Sequence, residues 1–286
     1  MDSQLLGQVL VNGVVASLIY ILIALGLALV FGIMKILNFA HGAMYMLGGY
    51  GIYVLFQLSG LNYFISAIIS IILVGALGVI IERVFIRPVR VELIIVFIIT
   101  LALSMMFETG TGRAFGTEHL AISTPFPGVA RPLGVTISWQ RVAVVFISAI
   151  LVIGLFFFLN RTKAGQAMRA VGQDIEAAAL QGIDPGRTAS LCMFIGCALA
   201  AAAATLTAPI FTVHPYMGGA PLMKGFTIMI IGGVGSIPGC VVGGFILGFI
   251  DSTTATFLGA DIASMVGFAL LMLILLVRPR GILGHE

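Results

Sequence analysis

The sequence predicts an all-α polytopic membrane protein, a single transmembrane domain over residues 1–286 with about 8–9 membrane-crossing helices. Three observations carry this. The chain is 60% hydrophobic and only 9% charged, whereas a soluble domain is about 25% charged. Apolar runs long enough to cross a bilayer recur along its whole length. Lys and Arg fall mainly in alternate connections between those runs, the charge asymmetry that orients membrane proteins.

Nine apolar segments are expected, near 8–31, 39–58, 62–84, 93–110, 140–159, 187–208, 222–234, 238–258 and 262–278. The first follows "MDSQLLGQVLVNG", which has no basic n-region and is followed by no clear A-x-A site, so it reads as a retained span. It stops at Lys35, and the second begins within "NFAHG". The third runs into Glu82, Arg83, Arg87 and Arg90, a cluster that reads as a positive anchor. The fourth carries Glu108 near its end. A loop over about 111–139 holds the turn signals "TPFPG" and "RPLG". Trp139 and Arg141 open the fifth segment as interface anchors. A second long loop, 160–186, precedes the sixth.

The seventh segment is too short. Thirteen residues cover about 20 Å of a hydrocarbon core roughly 30 Å thick. It ends in "GGVGSIPG", followed at once by more apolar sequence, so a broken or re-entrant helix is expected near 222–239. Lys224 at its start reads as a snorkelling side chain. Asp251 lies in the eighth segment.

Orientation follows from charge. With the amino terminus periplasmic and the carboxyl terminus cytoplasmic, Lys35, Arg83, Arg87, Arg90, Arg161, Lys163, Arg169, Arg187, Arg278 and Arg280 lie inside. Arg113, Arg131, Arg141 and Lys224 lie outside. Ten against four is a clear bias.

Nothing in the sequence reads as an enzyme. There is no HExxH, G-x-S-x-G or P-loop, and "GGVGSIPG" lacks the Lys of a phosphate loop. His41, His119, His214 and His285 are far apart, and Cys192, Cys197 and Cys240 have no metal-ligand spacing. The cysteines read as small packing residues. No metal, cofactor or nucleic acid is expected.

The polar groups within apolar sequence are the candidate functional residues. Asn38 and His41 are three apart and share a helix face. They either line or gate a pathway, or serve structure, with Asn38 capping the second helix and His41 bonding a nearby carbonyl. Gly42, Gly48, Gly49 and Gly51 favour close helix packing. Glu108 and Asp251 each cost roughly 2.5–3.5 kcal/mol near a helix centre. They either contact a solute or are satisfied between helices or at the interface.

The loop segment "GQDIEAAALQGIDP" has the pattern of a short helix. Asp174 is its N-cap and Glu176 stands in its first turn. Ile175, Ala178, Ala179 and Gly182 fall on one small apolar face. Gly182 and Pro185 end it. A helix this short is marginal alone, so it is expected to rest on something.

Five stretches together, "NFAHGAMYMLGGY", "ERVFIRPVR", "KAGQAMRAVGQDIEAAALQGID", "GGVGSIPGCVVGGFILG" and "VRPRGILG", resemble the membrane permease subunit of bacterial ABC importers for branched-chain amino acids. The resemblance runs in order from about residue 10 to 284. It departs from the family at Ala43, where an acidic residue is common, and in "MMFETGTG", where amides are.

The resemblance implies import of branched-chain or related hydrophobic amino acids across a bacterial inner membrane. ATP would be hydrolysed by partners, not by this chain. Those partners would be a second, similar permease, two cytoplasmic ATP-binding subunits and a periplasmic solute-binding protein, with lipid around the permeases. It implies a pathway or gate at Asn38, Phe39, His41, Gly42, Gly232, Gly233, Gly235, Ser236 and Gly239. It also implies an ATPase-coupling segment over about 161–186, with Asp174, Ile175, Glu176, Ala178, Ala179 and Gly182. Glu108 and Asp251 are possible intramembrane polar contacts. A urea or short-chain amide permease is the alternative cargo reading. A stand-alone channel or secondary transporter is the alternative class, and it would want more carboxylates in the spans and no docking loop.

Overall fold

The computed structural model describes residues 3–131, 134–278 and 281–284; Arg280 and His285, both named above, lie outside them. Among the described residues the chain is helical apart from two paired two-residue strands, β1 (Val129–Ala130) and β2 (Ile137–Ser138), in a long loop, and one isolated bridge. In order the helices are α1 (Ser3–Met34), α2 (His41–Ile52), α3 (Tyr63–Ile81), α4 (Leu93–Phe115), α5 (Trp139–Arg161), α6 (Lys163–Gln173), α7 (Ile175–Leu180), α8 (Pro185–Thr207), α9 (Gly219–Gly232), α10 (Ile237–Leu258) and α11 (Ala260–Val277). Each of the nine expected apolar segments appears as a helix. Seven are long and apolar enough to cross a membrane: α1, α3, α4, α5, α8, α10 and α11. The other two, α2 and α9, have 12 and 14 residues, and α2 continues as a six-residue π-helical stretch, Tyr53–Leu58.

Helices α1 and α8 form the centre. In each, 78% of the apolar window is buried, against at most 33% in the other five spans. Their composition explains this. Lipid tails are as apolar as Leu, so helices associate in a bilayer by close packing, which favours small residues. The α8 run "CALAAAAATLT" supplies them. A Cβ on Gly48 of α2 would lie 2.6 Å from the Ala201 Cα, and one on Gly78 of α3 would lie 2.6 Å from the Cys197 Sγ. All three cysteines are free and buried, and the Cys192 Sγ donates to the Leu29 carbonyl of α1 at 3.3 Å. Exposed apolar residues fall on the periphery. On α5, Phe146, Ile150, Ile153 and Phe157 form an exposed stripe at helical spacing, as a lipid-facing side requires.

Polar residues set the ends of the helices. Asn62 caps α3 by accepting the Phe64 N–H at 2.9 Å, and Ser138 caps α5. Asp184 caps α8, accepting the N–H groups of Gly186 and Arg187 at 2.8 and 3.1 Å, with Pro185 at the first helical position. The Arg187 and Gly186 N–H groups hold its carboxyl below the usual range. Helix α1 stops because Lys35 adopts the left-handed conformation, φ 56°, unusual outside glycine and worth roughly 1–2 kcal/mol.

The bundle has two distinct ends. At one, the end of α3 meets the start of α8, and α6 packs on α1, α5 and α8 with α7 beside it. Lys35, Arg83, Arg87, Arg90, Arg161, Lys163, Arg169 and Arg187 sit here. At the other, the 116–138 loop covers the helix ends. Leu120 bridges to Val213, the Ser123 N–H donates to Gln57, and the Thr136 N–H donates to Gln8.

Candidate functional site

Two breaks in the helical ladder come close inside the bundle. The first is residues 35–40. After α1 ends, the chain turns back alongside it, so α2 begins beside Gly26, eight residues before the end of α1 and about 12 Å inward along its axis. The backbone of this return is satisfied locally. The Ala40 N–H donates to the Asn38 Oδ1 at 3.1 Å, and the His41 N–H to the Asn38 carbonyl at 3.3 Å. Asn38 thus stabilises the turn before α2, two residues earlier than the N-cap position, which is Ala40. The imidazole of His41 fills the crossing of α1 and α8. A Cβ on Gly26 would lie 2.7 Å from the Gly196 carbonyl and 2.8 Å from the His41 Cε1. Both ring nitrogens of His41 are buried, and the backbone acceptor the ring faces is that of Ile23 on α1. Phe39 packs on Phe97 of α4 and Phe226 of α9, with ring centroids 4.8 and 5.1 Å apart.

The second break is residues 208–218, between α8 and α9. It touches the first turn of α2, just beyond the first break, through two glycines: a Cβ on Gly218 would lie 2.0 Å from the Gly42 carbonyl oxygen. No other residue fits there.

The α9–α10 connection lies at the α6–α7 end. Gly233 and Gly235 take φ values of 105° and 81°, and Ser236 accepts the Gly239 N–H at 3.1 Å. Gly232 and Gly239 abut through their backbones. The two carbonyls that end α9, of Ile231 and Gly232, accept N–H groups from Ile282 and Leu283 at 2.8 and 3.0 Å. Gly235 rests against Gly32 of α1, and Gly172 of α6 approaches the same Gly32 from another side. These connection residues pack against the chain's own backbone, and a separate cavity is lined neither by them nor by Asn38, Phe39, His41 and Gly42.

That cavity, of about 730 Å³, opens between α1, α9, α10, α11 and the 208–218 segment at the other end of the bundle. Its walls mix aliphatic side chains, among them Val15, Ile19, Ile23 and Ala263, with hydroxyl-bearing ones such as Tyr45, Thr207, Ser252 and Thr256. Three polar side chains from three helices meet in it. The Lys224 Nζ is paired with the Asp251 Oδ1, and the Tyr20 hydroxyl donates to the Asp251 Oδ2 at 2.7 Å. Lys224 also lies 5.9 Å from the Tyr20 ring centroid, within cation–π range. This corrects the reading of Lys224 as a snorkelling side chain: a carboxylate on the neighbouring helix holds it inside. Arg141 bonds Asn12 at the cavity wall, and His214 stacks near His119 with ring centroids 4.4 Å apart. Burial first, and then the neighbouring His119, lower the pKa of His214.

Glu108 is elsewhere. It accepts from Ser104 one turn back on its own helix at 3.0 Å, a contact within α4 and not between helices. The basic cluster at the end of α3 is more than an anchor. Glu82 is buried, and Arg87 holds it with two hydrogen bonds of 2.9 and 2.8 Å. Arg87 also donates to the Gly186 carbonyl and the Ser190 Oγ, each at 2.8 Å.

The Asp174 side chain caps α7, accepting the N–H groups of Glu176 and Ala177 at 2.9 Å each, and Gly182 takes φ 80° beyond its end. The single small face read from the sequence divides, however. Ala178 is 4% exposed and packs inward, so it belongs to the body of the protein. Ile175, Glu176, Ala179 and Leu180 face out.

Five apolar spans packed around α1 and α8, with a partly polar cavity entering from one end, make a multi-pass membrane bundle. The chain belongs to the family described as "Branched-chain amino acid transport system / permease component", whose profile matches residues 9–275. It is 34% identical to the high-affinity branched-chain amino acid transport system permease protein LivH of Salmonella typhimurium, over 97% of this chain and 95% of that protein. It is 35% identical to BraD of Pseudomonas aeruginosa, a permease of the same description, with the same coverage. A probable LivH of Methanocaldococcus jannaschii is 26% identical over 98% of this chain and 93% of that one. Among solved structures, PsaBC from Streptococcus pneumoniae in complex with Fab matches with a TM-score of 0.55 at 14% identity, over 95% of this chain and 92% of that one, a likeness of fold. The protein is a transporter's permease subunit in the inner membrane, not a catalytic enzyme.

Proposed function

We propose that this chain is one permease of an ATP-driven importer that carries branched-chain or related hydrophobic amino acids into the cytoplasm. The observation that carries the proposal is the division of the molecule into two ends. A half-open cavity with mixed aliphatic and hydroxyl-bearing walls and a buried charge pair enters at one end. A capped helix that exposes Ile175, Ala179 and Leu180 projects from the other. In this reading the cavity end is periplasmic and receives cargo from a solute-binding protein. The α6–α7 end is cytoplasmic, as its Lys and Arg content supports. A second, similar permease completes the pathway, and α2 and α9 act as broken spans within it.

The coupling route follows from close backbone contacts. α6–α7 rests on an ATPase subunit through the exposed side of α7. A shift of α6 reaches the α9–α10 connection through Gly172, Gly32 and Gly235, where no flexible side chain intervenes to absorb it. Tightly packed contacts of this kind transmit displacement. Gly232, Gly233, Ser236 and Gly239 then act as the hinge of the pathway helices, and Asn38, Phe39, His41 and Gly42 as the seam against which α9 moves. The aliphatic part of the cavity walls favours branched aliphatic cargo over urea, which has no apolar surface to bury.

The test is reconstitution in proteoliposomes with the partner permease, the two ATPases and the binding protein. Radiolabelled leucine should accumulate only with internal ATP and external binding protein. Uptake that persists without ATP would make the chain a channel or secondary transporter. Uptake of urea but not leucine would change the cargo.

A further inference from the structure

The Lys224–Asp251 pair, with Tyr20, links α9, α10 and α1, but these helices also meet through close small-residue contacts at Gly232–Gly239 and Ser17–Gly248. Helices α9 and α10 are already joined by a short connection and packed through Gly232 and Gly239. Both charged side chains are nearly enclosed, at 14% and 15% exposure. A buried ion pair seldom stabilises more than an apolar pair of the same size, because desolvating both ions offsets their attraction. Ionisable groups within a membrane domain mark solute pathways more often than packing. This pair also faces the cavity, together with Tyr20.

We propose that Lys224, Asp251 and Tyr20 form a head-group subsite that reads the zwitterion of an α-amino acid inside the permease, with Lys224 taking the α-carboxylate and Asp251 the α-ammonium. The inference rests on the import reading above and deepens it. Its physical basis is charge balance. A zwitterion entering between the two groups replaces one ion pair with two and adds no net charge to the interior. The resting pair keeps each group satisfied when cargo is absent, so an empty cavity holds no stranded charge. The exchange is close to even in energy, as a pathway needs when it must release what it takes up. The Tyr20 hydroxyl holds the Asp251 carboxylate in place as Lys224 turns to the cargo. The apolar part of the wall, at Ile19, Ile23 and Met217, receives the side chain without hydrogen-bonding it. The subsite therefore selects α-amino acids as a class and leaves the choice among them to the binding protein.

The experiment uses the complete reconstituted transporter with the double variant Lys224→Met, Asp251→Asn, which removes both charges and strands neither. The expected result is a complex that still co-purifies with its ATPase subunits but imports leucine at least about tenfold more slowly than wild type. Import within about twofold of wild type overturns the proposal and makes the pair structural. Should the variant not assemble, the wild-type complex without binding protein decides. Saturable leucine binding is competed by leucine, by 4-methylpentanoate, which lacks the ammonium, and by 3-methylbutylamine, which lacks the carboxylate. Leucine should compete at least about tenfold better than either. Equal competition, or no saturable leucine binding, overturns the subsite. Failure of the import reading shows separately, as a wild-type transporter that does not move leucine.

Discussion

Arg87→Met tests the buried cluster that ties α3 to α8 beside α6 and α7. The substitution keeps the length of the aliphatic stem and deletes the guanidinium. Contacts to the Glu82 carboxylate, the Gly186 carbonyl and the Ser190 Oγ go, the last two sharing the two hydrogens of Nη2 with a Glu82 oxygen. The Glu82 carboxylate, 2% exposed, keeps only the Ser190 hydroxyl as a donor, at 2.8 Å. Breaking a buried pair from one side costs about 3–5 kcal/mol. The Arg87 side chain is 38% exposed, so water reaches the gap it leaves, and the cost falls at the low end, about 3 kcal/mol. At roughly 2–4 °C per kcal/mol for a chain of this order of size, the thermal midpoint in detergent, followed by size-exclusion fluorescence, should drop by roughly 6–12 °C. Adding Glu82→Gln removes the stranded charge and should recover most of that loss, to within about 1 kcal/mol of wild type. A single variant that melts with wild type, or a double variant no better than the single, would refute the assignment of Glu82 and Arg87 as a mutually dependent pair.

Two further predictions concern the outer and inner faces. In a version free of Cys192, Cys197 and Cys240, single cysteines at Ser123 and Gln166 should label from opposite sides of the membrane, and labelling of both by an impermeant reagent from outside would sink the orientation. Ala179→Trp, on the exposed side of α7, should weaken ATPase co-purification or uncouple hydrolysis from transport while the permease still folds; full binding-protein-stimulated ATPase activity with normal uptake would remove α7 from the docking face. Ala178→Trp is not equivalent, because Ala178 is buried and a large ring there acts on folding.

How much of this was legible in the sequence depended on the range of each interaction. The nine apolar segments, the Asp174 cap, the Gly182 terminus and the short helix before "GGVGSIPG" are local, and period, capping chemistry and glycine announced them. The burial of Ala178 was not legible. Its face of α7 is decided by how α6 and α8 support the segment, and small residues suit either side. The pairing of Arg87 with Glu82 was legible only in part: the charges stand five apart, but that a π-helical turn (Glu82–Ile86) and the start of α8 bury one of them is a tertiary fact. Lys224 and Asp251 did carry a signal. One stands eight residues before Gly232 and the other twelve after Gly239, so on helices rising from one break both lie roughly 10–20 Å along their axes. Opposite charges at similar depth on adjacent helices can meet; reading each alone concealed this.

The polar stretch "NFAHG" and the charged pair at 224 and 251 look alike in a hydropathy plot, and the structure separates them by what each is needed for. A chain that leaves α1 and turns back inside the bundle exposes backbone groups that lipid cannot satisfy. Asn38 answers that need directly, accepting the Ala40 N–H on its side chain and the His41 N–H on its carbonyl. Gly26 and Gly196 leave the space the imidazole occupies, and Gly42 and Gly218 allow the second break to touch the first turn of α2. Each polar or small residue of the stretch thus has a task set by the fold, whatever it does in transport. Lys224 and Asp251 answer no backbone need of that kind. They bond each other and Tyr20 across three helices, and they line the cavity. Burial of a charge pair is costly, and its place on a cavity wall is why the double variant at Lys224 and Asp251 separates a packing role from a solute role.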